Sequence, residues 1–158
     1  DSWGKMTLWD ETTRVPFIIV APGVTTPGSR SDEAVSTQSI YATLMELTGL
    51  ERPEWVDGSS LVPLLQNPDM EWDDVAITTY GDYGNFSVRD DSWRYIIYSN
   101  GEEELYNNEI DPLEYINLAN DTQYASIKAA LAARIPPAET HMTAVGGVDE
   151  LQQIIENN

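Results

Sequence analysis

Residues 15–21 (VPFIIVA), a continuous apolar run rich in β-branched side chains, set the tightest limit on how this chain can fold. Pro16 lies at the start of the run, and Pro22-Gly23 closes it. A strand with one wet face alternates apolar and polar residues, whereas an unbroken run reads as a strand buried on both faces, as in a parallel sheet packed between helices. Such a strand needs neighbours at both edges and cover on both faces. Left alone, it would expose unpaired backbone and an apolar face, which soluble proteins avoid. The expected class is therefore α/β. Only one such run occurs, so the first half of the chain reads as cut from a larger sheet.

Beyond residue 23 the texture is mixed. Residues 24–32, rich in Thr, Pro, Gly and Ser, predict a surface loop. Residues 37–48 predict an amphipathic helix carrying Ile40, Tyr41, Leu44, Met45 and Leu47, with Ser36 as N-cap and Gly49 as stop, packed on the strand. Residues 51–74 read as loop with one short helical turn around Leu61, Leu64 and Leu65. Then residues 75–80, 85–89, 93–98 and 104–106 form short β-prone stretches separated by Gly81-Asp82, Asp90-Asp91 and Asn100-Gly101. Asn-Gly between apolar stretches is a hairpin signal, so a small antiparallel sheet is expected. Asp121 can cap a last long helix with a buried stripe of Tyr124, Ile127, Leu131 and Ile135, ended by Pro136-Pro137. The expected division is residues 1–74 as part of an α/β domain, 75–137 as the sheet with its helix, and 138–158 as a tail with a short candidate helix at 149–156.

Charge narrows the function classes. Eight Lys and Arg stand against 27 Asp and Glu, a formal net charge of −19. Such a chain cannot neutralise rows of phosphates and is repelled by anionic membranes, so nucleic acid and membrane surfaces are not its expected partners. With 41% hydrophobic residues it still has the material for a core. The absence of cysteine excludes disulfides, thiol catalysis and Cys-based zinc sites within the chain. His141 is the lone histidine, so neither a His-centred triad nor a transition-metal site can be assembled from this chain alone. The acidic groups at 73–74, 90–91 and 102–104 lack the alternating ligand spacing and central Gly of a calcium loop and read as solvated surface. Among the few cations, Lys128 and Arg134 are expected to face solvent from the last helix. Lys5, in WGKMTLW, sits just before the apolar run, in a loop beside a sheet end where α/β proteins bind ligands. From spacing alone two readings stand open for it: contact with an oxyanion, or a salt bridge to Asp10 or Glu11.

Residues 5–23 (KMTLWDETTRVPFIIVAPG) resemble the segment of type I sulfatases that reads Lys, Thr, Leu, an aromatic, two acids, Arg-Val-Pro, an apolar strand and Pro-Gly. Residues 35–49 are similar to the helix that comes next in that family, and residues 57–65 (DGSSLVPLL) to its Asp-Gly-x-Ser-Leu loop. Val88-Arg89, Trp93-Arg94-Tyr95-Ile96, Glu104-Leu105-Tyr106, Asp111-Pro112 and Asn117-Leu118-Ala119 keep the order of sulfatase C-terminal subdomains. The resemblance covers residues 3–137 and is strongest to the iduronate sulfatase and bacterial polysaccharide sulfatase branch. It implies an alkaline-phosphatase-like fold, of which this chain is the C-terminal portion: the last part of the large sandwich domain plus a small antiparallel sheet with a covering helix.

By the same resemblance, Lys5 matches the lysine that contacts the sulfate ester and is the implied catalytic residue. Asn85 and Arg89 match a stretch near the substrate pocket, where they would bind a sugar hydroxyl or carboxylate; the alternative for Arg89 is pairing with Asp90 or Asp91. Arg14 would brace the loop. The family's calcium ion and formylglycine nucleophile are implied for the full-length enzyme, with the nucleophile and most or all of the metal ligands outside this chain. The implied partners are the missing N-terminal portion of the same enzyme, or a partner chain, and a sulfated carbohydrate, and the implied location is periplasmic or secreted. Ser39 and Ala42 replace the branch's usual Asp and Pro, which affects a helix start rather than chemistry; Phe86 replaces its common His and Pro137 a frequent Lys, which points to a different or less charged sugar. Two other readings remain: a carbohydrate-binding module whose Trp3, Trp9, Trp55, Trp72 and Trp93 stack on sugars, and a phosphate or phosphonate ester hydrolase of the same superfamily. A bare apolar edge at 15–21 would favour the partial-enzyme reading over the closed module.

Overall fold

A computed structural model of the chain describes residues 6–81 and 83–137. In chain order these form α1 (Asp10–Thr13), α2 (Ser39–Thr48), α3 (Val62–Gln66), strands β1 (Ala76–Thr79), β2 (Phe86–Arg89), β3 (Trp93–Ile97) and β4 (Glu103–Asn107), a 3-10 turn (Thr122–Tyr124), and α4 (Ala125–Ala132). The strands make one antiparallel meander in the order β1-β2-β3-β4.

Local chemistry sets the turns of the meander. Asp90 Oδ1 accepts from Ser92 N (2.9 Å) and Trp93 N (2.6 Å), closing the β2–β3 turn with its own side chain. At the β3–β4 turn Gly101 has φ 87°, a conformation side chains disfavour, while Asn100 Oδ1 accepts from Glu102 N at 2.9 Å. The predicted antiparallel sheet is thus present, with strand ends within a residue or two of expectation.

Strand alternation then divides the sheet into two faces. Register aligns Ile77, Val88, Tyr95 and Leu105 across all four strands. Together with Ala119 and Leu131 these make the main core, with Trp93, Tyr124, Ile127 and Ile135 packed around it. The covering helix is shorter than predicted. Asp121 does act as a cap, accepting from Gln123 N at 2.9 Å, but a 3-10 turn comes first and the α-helix ends at Ala132, well before Pro136. Lys128 and Arg134 depart from the expected solvent-facing role. Lys128 Nζ donates to Glu103 Oε2 (2.8 Å) and the Ala119 carbonyl (3.1 Å), and Arg134 donates to the Asp73 carbonyl (2.9 Å). The helix is tied to the sheet edge and the preceding loop because so few cations serve so many acids.

Two expectations from the first half fail in an informative way. Residues 15–21 form no strand; they run without ladder partners, and of their side chains only Ala21 is buried. Ile18 is 82% exposed and Val20 81%. The helix at 37–48 forms as α2, starting at Ser39 and ending at Gly49 in the left-handed region. It buries Ser39, Ala42 and Thr43, however, while Ile40, Tyr41 and Leu44 face outward. Thr43 explains the rotation: its hydroxyl donates to the Ser39 carbonyl (2.6 Å) and accepts from Leu61 N (2.9 Å), fixing α2 to the start of α3. Gly58 allows the close approach, since a Cβ there would lie 2.9 Å from the Gln38 backbone. Among the described residues, no helix is long and apolar enough to cross a membrane.

Candidate functional site

The second face of the sheet carries Ser87 and Arg89 on β2, Arg94 and Ile96 on β3, and Glu104 and Tyr106 on β4, the positions alternating with the core row. In an isolated meander this would be the wet face. Here residues 8–10 and α1 lie on it. Leu8 is buried against Ile96 and Tyr106, with Tyr98 alongside. Trp9 Nε1 donates to Glu104 Oε2 at 2.7 Å.

A charge cluster lies under this segment. Arg94 sits directly opposite Arg89 across the β2–β3 ladder, a like-charge pair that needs an anion. Asp10 supplies it: its Oδ1 is 2.7 Å from Arg94 Nη2 and 4.0 Å from Arg89 Nε. Arg94 Nε also donates to Glu114 Oε1 at 2.6 Å. Its Nη1 donates to Ser87 Oγ (2.7 Å) and the Leu8 carbonyl (3.2 Å). Glu114 in turn accepts from Asn108 Nδ2 (2.8 Å) and from the Asp10 backbone N–H (2.9 Å). The side chains of Arg94 and Glu114 are 3% and 4% exposed. Glu114 alone among described non-glycine residues has positive φ, at 55°.

The structure distributes the predicted site residues unevenly. Lys5 lies outside the described residues, as do Trp3 and His141. Asn85, just before β2, and Arg89, its last residue, do not meet: along an extended strand that separation is about 13 Å. Asn85 Oδ1 accepts from Ser99 N at 3.0 Å, linking the β1–β2 and β3–β4 turns. Arg89 Nη1 donates to the carbonyls of Asp90 and, at 3.4 Å, Trp93. Burial, and the neighbouring Arg94 guanidinium, push the Arg89 pKa down, with Asp10 opposing the shift. Arg14 is largely exposed, 3.8 Å from Asp10 in an i,i+4 pair. Phe86 is buried, its ring edge-on to Tyr83 at 5.6 Å. Trp93 is a core residue stacked near Tyr124, and Trp55 is exposed beside Tyr41.

Sequence reasoning missed the Arg94, Asp10 and Glu114 cluster. The available signal was a guanidinium in the middle of WRYII, since a charge inside an apolar strand demands buried partners. Its chemical capacity is also clear: with its donors committed within the protein, Arg94 organises chain segments and is not free to hold an anion.

For a metal, the described residues offer no group of three or more His, Asp or Glu, and the chain has no Cys. By themselves they would not hold the calcium ion of the full-length enzyme, whose ligands the resemblance puts mostly or wholly outside this chain.

Comparison with known proteins gives a consistent result. The family model for N-sulphoglucosamine sulphohydrolase, C-terminal, matches residues 2–141. A sulfatase of Formosa agariphila is 39% identical over 135 residues, covering 85% of this chain and 26% of its own length. A solved 2-O GAG sulfatase is 30% identical with TM-score 0.65, covering 81% of this chain and 30% of its own. A phosphonate monoester hydrolase from Silicibacter pomeroyi is 25% identical with TM-score 0.68, over 84% of this chain and 30% of that one. The chain spans about a quarter of the length of the curated relatives it matches.

Proposed function

Since the chain belongs to the family of N-sulphoglucosamine sulphohydrolase C-terminal domains, we propose that it is the C-terminal part of a sulfatase hydrolysing the sulfate esters of a carbohydrate. Its sheet and covering helix correspond to those of alkaline-phosphatase-like sulfatases. In this reading, Lys5 stabilises negative charge on the sulfate and on the leaving oxygen as the S–O bond breaks. Donors of that kind, placed where charge develops, act in the transition state more than in the ground state. Arg89, partly exposed at the end of β2, and Asn85 at its start form part of the pocket wall. Phe86 stands where this family branch commonly has a His, so that position supplies no polar group, which favours a less charged sugar.

The nucleophile and the metal belong to an N-terminal portion, so this chain alone has no covalent route to turnover. The observation that carries the reading is the solvent-facing apolar segment at 15–21, with Ile18 and Val20 both more than four-fifths exposed. A self-sufficient binding module has no reason to keep such a surface bare. A periplasmic or secreted location goes with this proposal.

The test has two parts. The chain alone, given 4-nitrophenyl sulfate and calcium, is expected to release no nitrophenol; turnover would overturn the division of labour. In the full-length protein, Lys5→Ala is expected to lower kcat by about 10²-fold, the cost of losing one charge-stabilising donor. An unchanged kcat would remove Lys5 from the mechanism. Structural likeness to a phosphonate monoester hydrolase supports a second reading. It predicts that kcat/KM for 4-nitrophenyl phenylphosphonate exceeds that for 4-nitrophenyl sulfate.

A further inference from the structure

We infer that Trp55, Tyr41 and Arg52 form a separate carbohydrate-contacting platform, on which a sugar ring of the sulfated polymer stacks with its anionic group on the guanidinium. This rests on the proposed action on a sulfated carbohydrate, and it uses none of the residues already placed in the pocket.

The platform is built on a braced loop. Val56 N donates to the Pro53 carbonyl at 3.1 Å, closing a turn with Glu54 and Trp55 at its centre. Arg52 holds the same turn: its Nε (3.2 Å) and Nη2 (2.6 Å) both donate to the Val56 carbonyl. The Val56 side chain is buried and anchors the turn. Trp55 is left at the tip, 73% exposed, and its ring meets that of Tyr41 on α2, itself 50% exposed. The ring centroids are 5.9 Å apart and the planes are tilted by 38°. A large ring held outward in this way adds little to the core, and a surface ordered before its ligand arrives loses less freedom on binding.

Charge singles out the same loop. With Lys5 outside the described residues, seven of the eight cations remain, and six of them lie within 4.0 Å of a described carboxylate. That is expected where acids are in such excess. Arg52 is the exception among the described residues, although Glu51, Glu54 and Asp57 lie close to it in the sequence. Its guanidinium bonds a neutral carbonyl one residue beyond Trp55 and keeps an uncompensated charge at the surface. Covering this patch with an N-terminal portion would bury that charge without a described partner, which is costly. Ile18 and Val20 are aliphatic and carry no such penalty. A sulfated sugar matches each feature of the patch. Its C–H face suits the rings, its anionic group suits a guanidinium fork, and its hydroxyls find an acceptor in the exposed Glu54 carboxylate.

The test is isothermal titration of the full-length protein with dextran sulfate, heparin and chondroitin sulfate, each beside its desulfated form. At least one sulfated polymer is expected to bind more tightly than its desulfated form. Trp55→Ala should weaken that binding about tenfold or more, the scale of losing an aromatic anchor. Arg52→Met should reduce the affinity for the sulfated form to that for the desulfated one, whereas Arg52→Lys, which keeps the charge, should retain part of the preference. The platform is overturned if none of the polymers binds, if Trp55→Ala binds like the parent, or if Arg52→Met keeps the full preference. It is also overturned if Trp55→Ala lowers the Tm of the full-length protein while binding stands, because the rings then pack against the N-terminal portion. Release of nitrophenol from 4-nitrophenyl sulfate by the same protein judges the enzymatic reading separately. The expected binding pattern without release supports the platform and refutes the sulfatase reading; release with both variants binding like the parent does the reverse.

Discussion

Ile18 and Val20 lie on an unpaired segment at 82% and 81% exposure, so truncating both to alanine removes almost nothing from the folded chain itself. Exposed substitutions stay within about 0.5 kcal/mol, and urea unfolding of the chain carrying Ile18→Ala and Val20→Ala should match the parent to that limit. The consequence is different if these side chains complete a sheet supplied by an N-terminal portion. Full burial of an Ile or Val side chain is worth about 1.5–3 kcal/mol, so the pair together contributes about 3–6 kcal/mol to association. That corresponds to a dissociation constant weakened about 10²- to 10⁴-fold. Isothermal titration of the two forms of the chain against the separately produced N-terminal portion measures it. A dissociation constant unchanged within a few-fold, or a destabilisation of the isolated chain by more than about 1 kcal/mol, would refute the assignment of this surface as an unfilled half of a larger core.

Two further outcomes rest on particular contacts. Burial and the adjacent Asp91, with Glu71 nearby, push the Glu33 carboxyl up from 4.5 to about 7. The protonated form is therefore favoured on folding, so its contribution is complete below pH 4.5 and lost as pH rises through about 7; Glu33→Gln should flatten this part of the stability profile in urea titrations across that window. Gly58 has φ 82° and a Cβ position 2.9 Å from the Gln38 backbone, so Gly58→Ala should lower stability by at least about 2 kcal/mol, and a neutral result would mean that α2 and its neighbouring loop separate freely.

The parts of the fold legible in the sequence are those whose causes are local. The four strands and their turns could be read because Asp90 and Asn100-Gly101 act on their own backbone neighbours, and because alternation within each strand is a two-residue rule. The apolar run at 15–21 was equally clear as a demand for burial, yet it forms no strand here. Periodicity reports what a side chain needs and does not tell whether the partner is in the same polypeptide. The helix at 39–48 shows the same limit: its Ile40 and Leu44 stripe is apolar, but Thr43 turns the other face inward by accepting from Leu61 N. Arg94 was missed for the opposite reason. Its partners Leu8 and Asp10 are 86 and 84 positions away, and no window of sequence joins them.

That non-local pairing also bears on how the chain is organised. Division at residue 74 would separate the loop at 6–14 from the sheet at 76–107, but the physical connections run across that boundary. Leu8 completes an apolar cluster whose other members are on β3 and β4 or just beyond, and Asp10 neutralises the cross-strand arginine pair of β2 and β3. The sheet therefore has two cores of different character: an apolar one under α4 that supplies cohesion, and a mixed one under residues 8–10, where a small apolar cluster adjoins ion pairs that supply direction. Apolar substitutions in the first should change stability with little effect on orientation, whereas substitutions in the second should change orientation before they change stability.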